Sequence, residues 1–351
     1  MGAEQNHAWP ARANHEPLPD PGSLDRFVLE IRTVPLRVQS FFVRVQLGQY
    51  PATVRRHAPA AAFVVLACAT PLPAQTPPAP YSLPWLLRPA VVARTVRLDQ
   101  TLALHEDALT GGAATTAVTS VTTTLRLGAR FAAVGRATWT RYAPPPGRRP
   151  SGSGLSNPLL GVSYVRPFAS RWRWTGFLAS TVPVGAGGGD RPDPGAVAAQ
   201  AAAIPARSAM DNAMFAVNYH VLIGGLSLAR VSPRLTAQAE LTALQLTRVR
   251  GPDSQDASRT NLTVGLHLGH FLTPRVSVGA DLRLQRWMTN AAPVRADRRA
   301  REQLTVALGS RLHLRSGGRW IRPGLSYTRA LDGPMSRLGY DILQFDVPVS
   351  F

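Results

Sequence analysis

Apolar and polar residues alternate strictly along the last nine residues of the chain. Leu343, Phe345, Val347, Val349 and Phe351 share one side, and the residues between them are Gln, Asp, Pro and Ser. A period of two residues is typical of a β-strand with one face in an apolar medium and the other in water. The pattern therefore predicts a two-faced strand at the C-terminus.

The same period recurs through the second half of the chain and, less regularly, through the first half. It predicts about twelve strands, and segments of roughly eleven residues suit a tilted strand that crosses a bilayer. No apolar run reaches the length that a membrane-spanning helix needs. The predicted strands other than the last are 93–105, 117–129, 131–142, 158–167, 171–183, 213–229, 235–248, 262–272, 276–288, 304–314 and 319–331.

The connections between these strands are alternately tight and long, as in antiparallel barrels with short periplasmic turns and long extracellular loops. An open edge in hydrocarbon would leave backbone groups without partners, so the sheet must close. A soluble sandwich also alternates, but here Leu, Val and Ala oppose a mixture of Gly, Thr, Ser and charges. We therefore predict an all-β fold, a closed antiparallel transmembrane β-barrel of about 12 strands, over residues 92–351.

The terminal aromatic residue carries a family resemblance. An alternating last strand that ends on Phe351 resembles the C-terminal signature of bacterial outer-membrane β-barrels, which their assembly machinery reads. The resemblance implies that Phe351 is an assembly signal and that the protein lies in the bacterial outer membrane. It implies outer-membrane lipids and the barrel assembly machinery as partners.

The segment before the barrel has the composition of an export signal. Arg55 and Arg56 precede an apolar stretch over 60–70, and Ala74 is a small residue suited to cleavage. We predict a signal peptide over 54–75, cut after Ala74 or Gln75, and a linker over 76–91. Residues 1–53 are then a non-native or disordered extension, with translation starting at Val54.

Cysteine usage leaves one alternative for this segment. Cys68 is the sole cysteine and lies within the predicted signal peptide, in a context that partly resembles a lipoprotein box. Acylation of Cys68 is the alternative to cleavage after Ala74. If the segment is removed, the mature chain has no disulfide and no thiolate metal ligand.

The formal charge of the chain is +19, and all 39 basic residues are arginine. Strong basicity raises the possibility of nucleic-acid binding. The arginines are nevertheless spread over strand ends, loops and single strand positions, without a basic helix or a stacking motif. The sequence therefore predicts no nucleic-acid partner.

No constellation of residues indicates catalysis. Lipid hydrolases built on barrels carry a His-x-Ser pair, and none of the eight histidines has serine two residues on. His220, His267 and His313 occupy polar positions of the alternation, which are predicted to face the lumen (lumen parity), but their spacing matches no metal motif. We predict no catalytic, cofactor or metal site and expect no enzyme.

Charged positions with lumen parity are the candidate functional residues. Structural pairing between strands and an anion-favouring pore lining are both open for them. Loop 184–212 contains a predicted short helix at 194–203, and we hypothesise that this loop folds over or into the mouth as a constriction. The lumen candidates are Arg97, Asp99, Arg126, Glu240, Asp281, Arg283, Gln285, Arg311 and Asp346.

Two linked segments carry a second resemblance. Residues 154–164 and 177–185 are similar to the G-x-x-D-x-x-L-G-x-x-Y and P-T-G pattern of barrels of the phenol-degradation meta-pathway type. Asn157 stands where that pattern has an acid, and Val184 interrupts the Pro-Thr-Gly order. The resemblance implies passage of small molecules, with aromatic ones as one option.

Together these patterns predict an outer-membrane channel or transporter for a small solute. The alternatives are a non-conducting structural or adhesive barrel and a barrel enzyme that acts on lipid.

Overall fold

A computed structural model describes residues 80–108, 110–147, 151–208 and 212–351. The predicted extension 1–53, the predicted signal peptide 54–75 and the first residues of the predicted linker lie outside this part of the chain. In the part described, fifteen strands join one antiparallel sheet.

The strands follow the alternating segments of the sequence. They are β1 Thr95–Glu106, β2 Ala113–Arg126, β3 Phe131–Ala143, β4 Gly152–Leu155, β5 Leu159–Ala169, β6 Trp172–Thr181, β7 Tyr219–Val231, β8 Leu235–Arg248, β9 Ser258–Thr273, β10 Val276–Trp287, β11 Glu302–Leu312, β12 Leu314–Ser316, β13 Arg319–Ile321, β14 Gly324–Ala330 and β15 Asp341–Ser350.

The first and last strands close the sheet. β1 pairs with β15 in antiparallel register from Thr95 opposite Ser350 to Leu104 opposite Asp341. β4 and β5 lie in succession along β3, and two short strands, β12 and β13, extend β11 and β14, so the fifteen strands make twelve crossings. The predicted closed antiparallel barrel of about twelve strands is confirmed.

The two ends of the barrel differ in their connections. Tight turns of two to four residues join the strands at one end, which we name the turn end (127–130, 170–171, 232–234, 274–275 and 317–318). Longer connections lie at the other end, which we name the loop end (107–112, 144–151, 182–218, 249–257, 288–301 and 331–340). This alternation agrees with the sequence prediction.

Burial alternates along each strand with the same period. In β9, Val264, Leu266 and Leu268 are 41%, 50% and 55% exposed on the outside, while Thr263 and His267 on the alternate positions are buried inside. Exposed leucines on β5, β6, β7, β11 and β14 continue this apolar outer surface, and the inner surface is mainly polar. The composition of the two faces is therefore inverted relative to a soluble barrel.

The structure corrects the predicted strand 213–229. Residues Asn212–Phe215 are helical and β7 begins only at Tyr219. The apolar positions Tyr219, Val221 and Ile223 face inward, where they pack in one buried cluster with Met214 and Leu246. His220 therefore points outward, and its predicted lumen parity is wrong.

Helices occur in the long connections. The connection 182–218 contains α1 Pro194–Ala206 and α2 Asn212–Phe215, and 288–301 contains α3 Ala292–Ala296 followed by a 3-10 helix, Arg298–Arg301. Asp193 caps α1 by accepting a hydrogen bond from the Ala196 amide at 2.7 Å, and Pro194 occupies the first turn, where its missing N–H costs nothing. The predicted helix at 194–203 is confirmed.

Within the described ranges, the helices are all too short or too polar to cross a membrane.

Candidate functional site

Residues 80–91, which we name the N-terminal segment, run inside the barrel. Their side chains from Tyr81 to Leu87 are buried, and Trp85 is only 2% exposed. Leu83 and Ala90 pack with Ala229 and Val231 of β7, close to the turn end. The stretch predicted as a linker is thus an irregular segment held in the lumen.

A carboxylate on the inner wall holds the backbone of this segment. Asp281 Oδ2 accepts hydrogen bonds from the amides of Trp85 and Leu86, at 2.7 and 2.6 Å. Its Oδ1 lies 2.5 Å from Nδ1 of His267, and Nε2 of that ring donates to the Ser82 carbonyl at 3.0 Å. An extended chain leaves its amides without internal partners, and Asp281 satisfies two of them.

A second carboxylate holds the C-terminal part of the segment. Glu240 accepts from the Arg88 guanidinium at 2.6 Å and from the Arg88 amide at 2.9 Å. Gln238 donates to the Arg88 carbonyl at 2.7 Å and accepts from the Tyr81 hydroxyl at 2.5 Å. The Arg88 guanidinium also lies 4.3 Å above the Phe177 ring. Glu240 and Gln238 of β8 therefore form hydrogen bonds with the polar groups of Arg88 and Tyr81.

Two glycines make room for the Trp85 side chain. A Cβ at Gly309 would lie 2.8 Å from Nε1 of Trp85, and a Cβ at Gly324 would lie 2.5 Å from its Cη2. Neither distance is compatible with a side chain. The Arg311 guanidinium covers the ring at 4.2 Å. The wall thus contains a recess shaped for one indole ring.

The connection 182–218, which we name the inner loop, fills the lumen from the loop end. Helix α1 lies against β1 to β4 and buries Ala196, Ala199, Ala203 and Ala206. Phe215 joins Ala203 and Ala206 in a buried cluster with residues of β1, β2 and β15. The inward position of the loop agrees with the constriction hypothesis; its effect on conduction stays a prediction.

Asn157 anchors the inner loop where β4 passes into β5. Its Nδ2 donates to the Ala216 carbonyl at 3.0 Å, and its Oδ1 accepts from the Gly185 amide at 2.9 Å. The amide is fully buried. A carboxylate could not donate to Ala216, which explains in physical terms why an amide suits this position.

Buried charges connect the two segments that fill the lumen. Arg207, at the end of α1, lies 2.6 Å from Asp99, and Arg97 lies 3.3 Å from Asp99 and 2.6 Å from Asp346. Asp346 also accepts two hydrogen bonds from Arg311, at 2.6 and 3.1 Å. Because Arg311 covers Trp85, a continuous path of charges joins the inner loop to the N-terminal segment. We name these five residues the charge chain.

The predicted lumen residues divide into three groups and one separate residue. Asp99, Asp346, Arg97 and Arg311 belong to the charge chain, while Asp281 and Glu240 hold the N-terminal segment. Arg283 and Gln285 are buried on the inner side of β10, where Arg283 lies 3.4 Å from the Thr263 hydroxyl. Arg126 lies apart at the turn end and donates to the Gly128 carbonyl at 2.9 Å.

The sequence did not reveal the groups that these residues contact. Trp85, Arg88 and Arg207 lie in stretches without a strand period, so no parity could be assigned to them. The aromatic and leucine-rich composition of Tyr81–Leu87 is the one signal that sets this stretch apart from the Pro- and Ala-rich residues before it.

Phe351 closes the chain at the turn end. Its amide donates to the Arg94 carbonyl at 3.1 Å, and its side chain is 44% exposed on the outside. The ring is therefore accessible, and its role as an assembly signal stays a prediction.

A serine and a histidine meet on the outside of the barrel near the loop end. Ser180 Oγ and His220 Nε2 lie 2.7 Å apart across β6 and β7. Sequence spacing could not detect a pair from two strands. Among the described residues, however, His220 has no second partner that would orient its ring, and hydrolytic serines depend on such a base held by a third group. The pair is a weak basis for an enzyme.

In the part of the chain that the structure describes, no three His, Cys, Asp or Glu side chains come together in a group that could hold a metal ion.

No family model matches the sequence, and no relative was found among curated proteins. Solved structures match the fold. An outer membrane channel from Pseudomonas putida F1 matches with a TM-score of 0.48 and 10% identity over 79% of this chain and 100% of that chain. The NanC porin gives 0.44 and 8% over 72% and 98%, and the KdgM porin 0.42 and 10% over 73% and 99%.

These solved structures are outer-membrane β-barrel proteins, and at such identities the likeness concerns the fold alone. The resemblance to barrels of the phenol-degradation meta-pathway type receives no support from them.

Proposed function

We propose that the protein is a bacterial outer-membrane channel for small solutes, in which the N-terminal segment and the inner loop must shift to open a path. The observation that carries this proposal is the inverted surface of the barrel. Exposed leucines and valines cover the outside, and polar and charged side chains line much of the inside. Hydrocarbon outside and water inside is the environment that such a distribution favours.

The lumen charges favour an anionic solute. On the inner wall, Arg97, Arg136, Arg173, Arg283 and Arg311 outnumber Asp99, Glu240, Asp281 and Asp346, and the two inner segments add Arg88 and Arg207. Displacement of the N-terminal segment removes Arg88 and uncovers Arg311. A lumen with exposed guanidinium groups attracts anions and repels cations.

The test is conductance of the purified barrel in planar bilayers. The full chain is compared with a variant that lacks residues 80–91 and with a second variant in which the inner loop residues 190–208 are replaced by a short Gly-Ser linker. We expect rare openings for the full chain and larger, anion-selective steps for the first variant. Silence of both variants, with the barrel still folded, would refute a channel.

The second candidate is a non-conducting structural or adhesive barrel. The observation in its favour is that an ion pair holds each inner segment to the wall, Arg88 with Glu240 and the buried Arg207 with Asp99. Silence of both deletion variants would support this candidate and contradict the first.

The outer-membrane location and the assembly partners belong to the same proposal. Exposure of the Phe351 ring beside the β1–β15 seam supports recognition by the barrel assembly machinery. Deletion of Phe351 is expected to lower the amount of folded protein in outer-membrane fractions. Unchanged amounts would contradict the assembly signal without affecting the channel proposal.

A further inference from the structure

A cleft at the loop end is lined by arginines. It has a volume of about 500 Å³ and lies between the 3-10 helix Arg298–Arg301 and the β14–β15 connection. Its basic residues are Arg298, Arg299, Arg301 and Arg337, and its acidic residues are Glu302 and Asp332. We name this set the arginine cleft.

Both carboxylates of the arginine cleft are engaged elsewhere. Glu302 lies 2.9 Å from Arg286. Asp332 Oδ1 accepts from Gln303 Nε2 at 2.5 Å and from the Leu304 amide at 2.8 Å. Neither carboxylate forms an ion pair with an arginine of the cleft, so the cleft has a surplus of positive charge.

The arginines differ in how they are held. Arg337 lies 3.2 Å from Asp297, and Arg301 donates weakly to Trp287 and Asn290. Within the described ranges, the guanidinium groups of Arg298 and Arg299 have no carboxylate and no hydrogen-bond acceptor. These two exposed donors are available to a ligand.

The position of the cleft indicates what kind of ligand can reach it. Glu302 lies on the same outward face of β11 as Leu304, Val306 and Leu308, and Leu308 is 58% exposed. Leu331, next to Asp332, is 55% exposed on the same side. The cleft therefore lies where the apolar outer surface ends and the loops begin. In a membrane this level belongs to the lipid headgroups.

We propose that the arginine cleft binds the phosphate of an anionic lipid in the outer leaflet, with its acyl chains along the leucines below. Guanidinium groups bind phosphate oxygens in a planar, two-pronged geometry that suits neighbouring arginines. Free phosphate has the same headgroup chemistry but no chains to lie on the apolar surface. This inference rests on the membrane placement proposed above and does not depend on conduction.

The test uses native mass spectrometry of the detergent-solubilised full chain. The probes are diphosphorylated lipid A, the same lipid without its phosphates, and inorganic phosphate. Arg298→Gln/Arg299→Gln is compared with Arg234→Gln/Arg275→Gln, which removes the same charge from two exposed arginines in tight turns at the turn end. Heat-modified gel mobility verifies that each variant is folded.

We expect the wild type and the turn-end variant to bind the phosphorylated lipid alike, and Arg298→Gln/Arg299→Gln to bind it about tenfold more weakly. Equal weakening by both variants would reduce the effect to overall charge and overturn the proposal. Equal binding of the lipid without phosphates would also overturn it. Full competition by inorganic phosphate at equal concentration would indicate a site for free anions and no lipid site.

Binding is measured without any conductance readout. A barrel that binds the lipid but conducts nothing contradicts only the channel, and a conducting barrel with unaltered lipid binding in Arg298→Gln/Arg299→Gln contradicts only the arginine cleft.

Discussion

The N-terminal segment and the inner loop fill the same lumen by different physical means. The first is an irregular chain, so its amides need partners, and Asp281 and Glu240 of the wall supply them. The second contains helix α1, whose amides have partners within the helix, and it is held by a matching surface of alanines, by Asn157 and by one ion pair through Arg207. The N-terminal segment therefore depends on wall carboxylates, and the inner loop on close packing.

Removal of Asp281 is expected to have the largest effect, because it releases the N-terminal segment and leaves the inner loop in place. Asp281→Ala leaves two buried amides and His267 without their acceptor, at a cost of about 3 kcal/mol, or roughly a hundredfold in the population of released segment. The measurement is the rate at which a membrane-impermeant maleimide labels a Ser82→Cys reporter. A faster rate is expected in Asp281→Ala.

The matched control for Asp281→Ala is Asp253→Ala, which removes a carboxylate whose side chain is 100% exposed in a loop. It should leave the labelling rate unchanged. Equal labelling in the two variants would mean that wall carboxylates do not hold the segment.

Filling the recess for Trp85 is expected to have the next largest effect on release of the N-terminal segment. Gly324→Ala places a Cβ within 2.5 Å of the indole ring, and overpacking of this kind costs about 2 kcal/mol. We expect faster labelling of the same reporter and a rise in Trp85 accessibility to an aqueous fluorescence quencher.

Gly128→Ala is the control, because nothing lies within 4 Å of a Cβ at this tight turn. If Gly324→Ala labels as slowly as Gly128→Ala, the recess is not part of the binding site.

The charge chain predicts a smaller effect that links both segments. Arg207→Ala removes a buried partner of Asp99 in the inner loop, and Trp85→Ala removes the ring that Arg311 covers. A double-mutant cycle on thermal unfolding should give a coupling free energy of about 0.5–1 kcal/mol, although Arg207 and Trp85 do not touch.

Strict additivity of the two substitutions would show that the inner loop and the N-terminal segment respond independently. The corresponding cycle of Arg207→Ala with Arg248→Ala, at the loop-end terminus of β8, should be additive in either case, because the carboxylate partner of Arg248 is the fully exposed Asp253.

The smallest expected effect lies outside the lumen and depends on pH. Burial alone would raise the pKa of Asp256, but hydrogen bonds from the Ala292 amide and Arg295 hold that pKa below its usual range. A carboxyl with a lowered pKa stabilises the folded loop above its unfolded pKa, and this stabilisation is lost as pH falls through the folded pKa.

Acidification is therefore expected to accelerate pepsin cleavage in the 249–257 and 288–301 connections of the wild type. Asp256→Asn should show faster cleavage already at higher pH and a weaker pH dependence. An identical pH profile for both proteins would contradict the role of Asp256 in joining these connections.

The barrel itself could be predicted because every strand of a closed sheet shows the same local pattern, in which apolar and polar residues alternate. Alternation defined the strands, and parity placed Asp99, Asp281 and Asp346 inside. The inner segments follow no period, since their conformation is set by the wall that they contact. Residues 80–91 were therefore predicted as a linker, and no sequence pattern distinguished Arg207 from other loop arginines.

Strand β7 illustrates a second limit. Alternation separates two faces but does not say which of them is outside. Placing His220 in the lumen implied that the apolar Tyr219, Val221 and Ile223 face lipid, yet they face an interior that the inner loop has made apolar. In a filled barrel, hydrophobicity alone cannot orient a strand.

Docking of the N-terminal segment also bears on how the cylinder is completed. Thr95 and Ser350 are 255 positions apart in the chain, and their hydroxyls lie 3.1 Å from each other at the seam. Only three residues separate Val91 from Thr95. A segment seated on the already paired middle strands therefore keeps the start of β1 within reach of β15 and lessens the entropic cost of joining distant ends. The twelve residues of the N-terminal segment that occupy the lumen therefore also favour the pairing of β1 with β15 that closes the barrel.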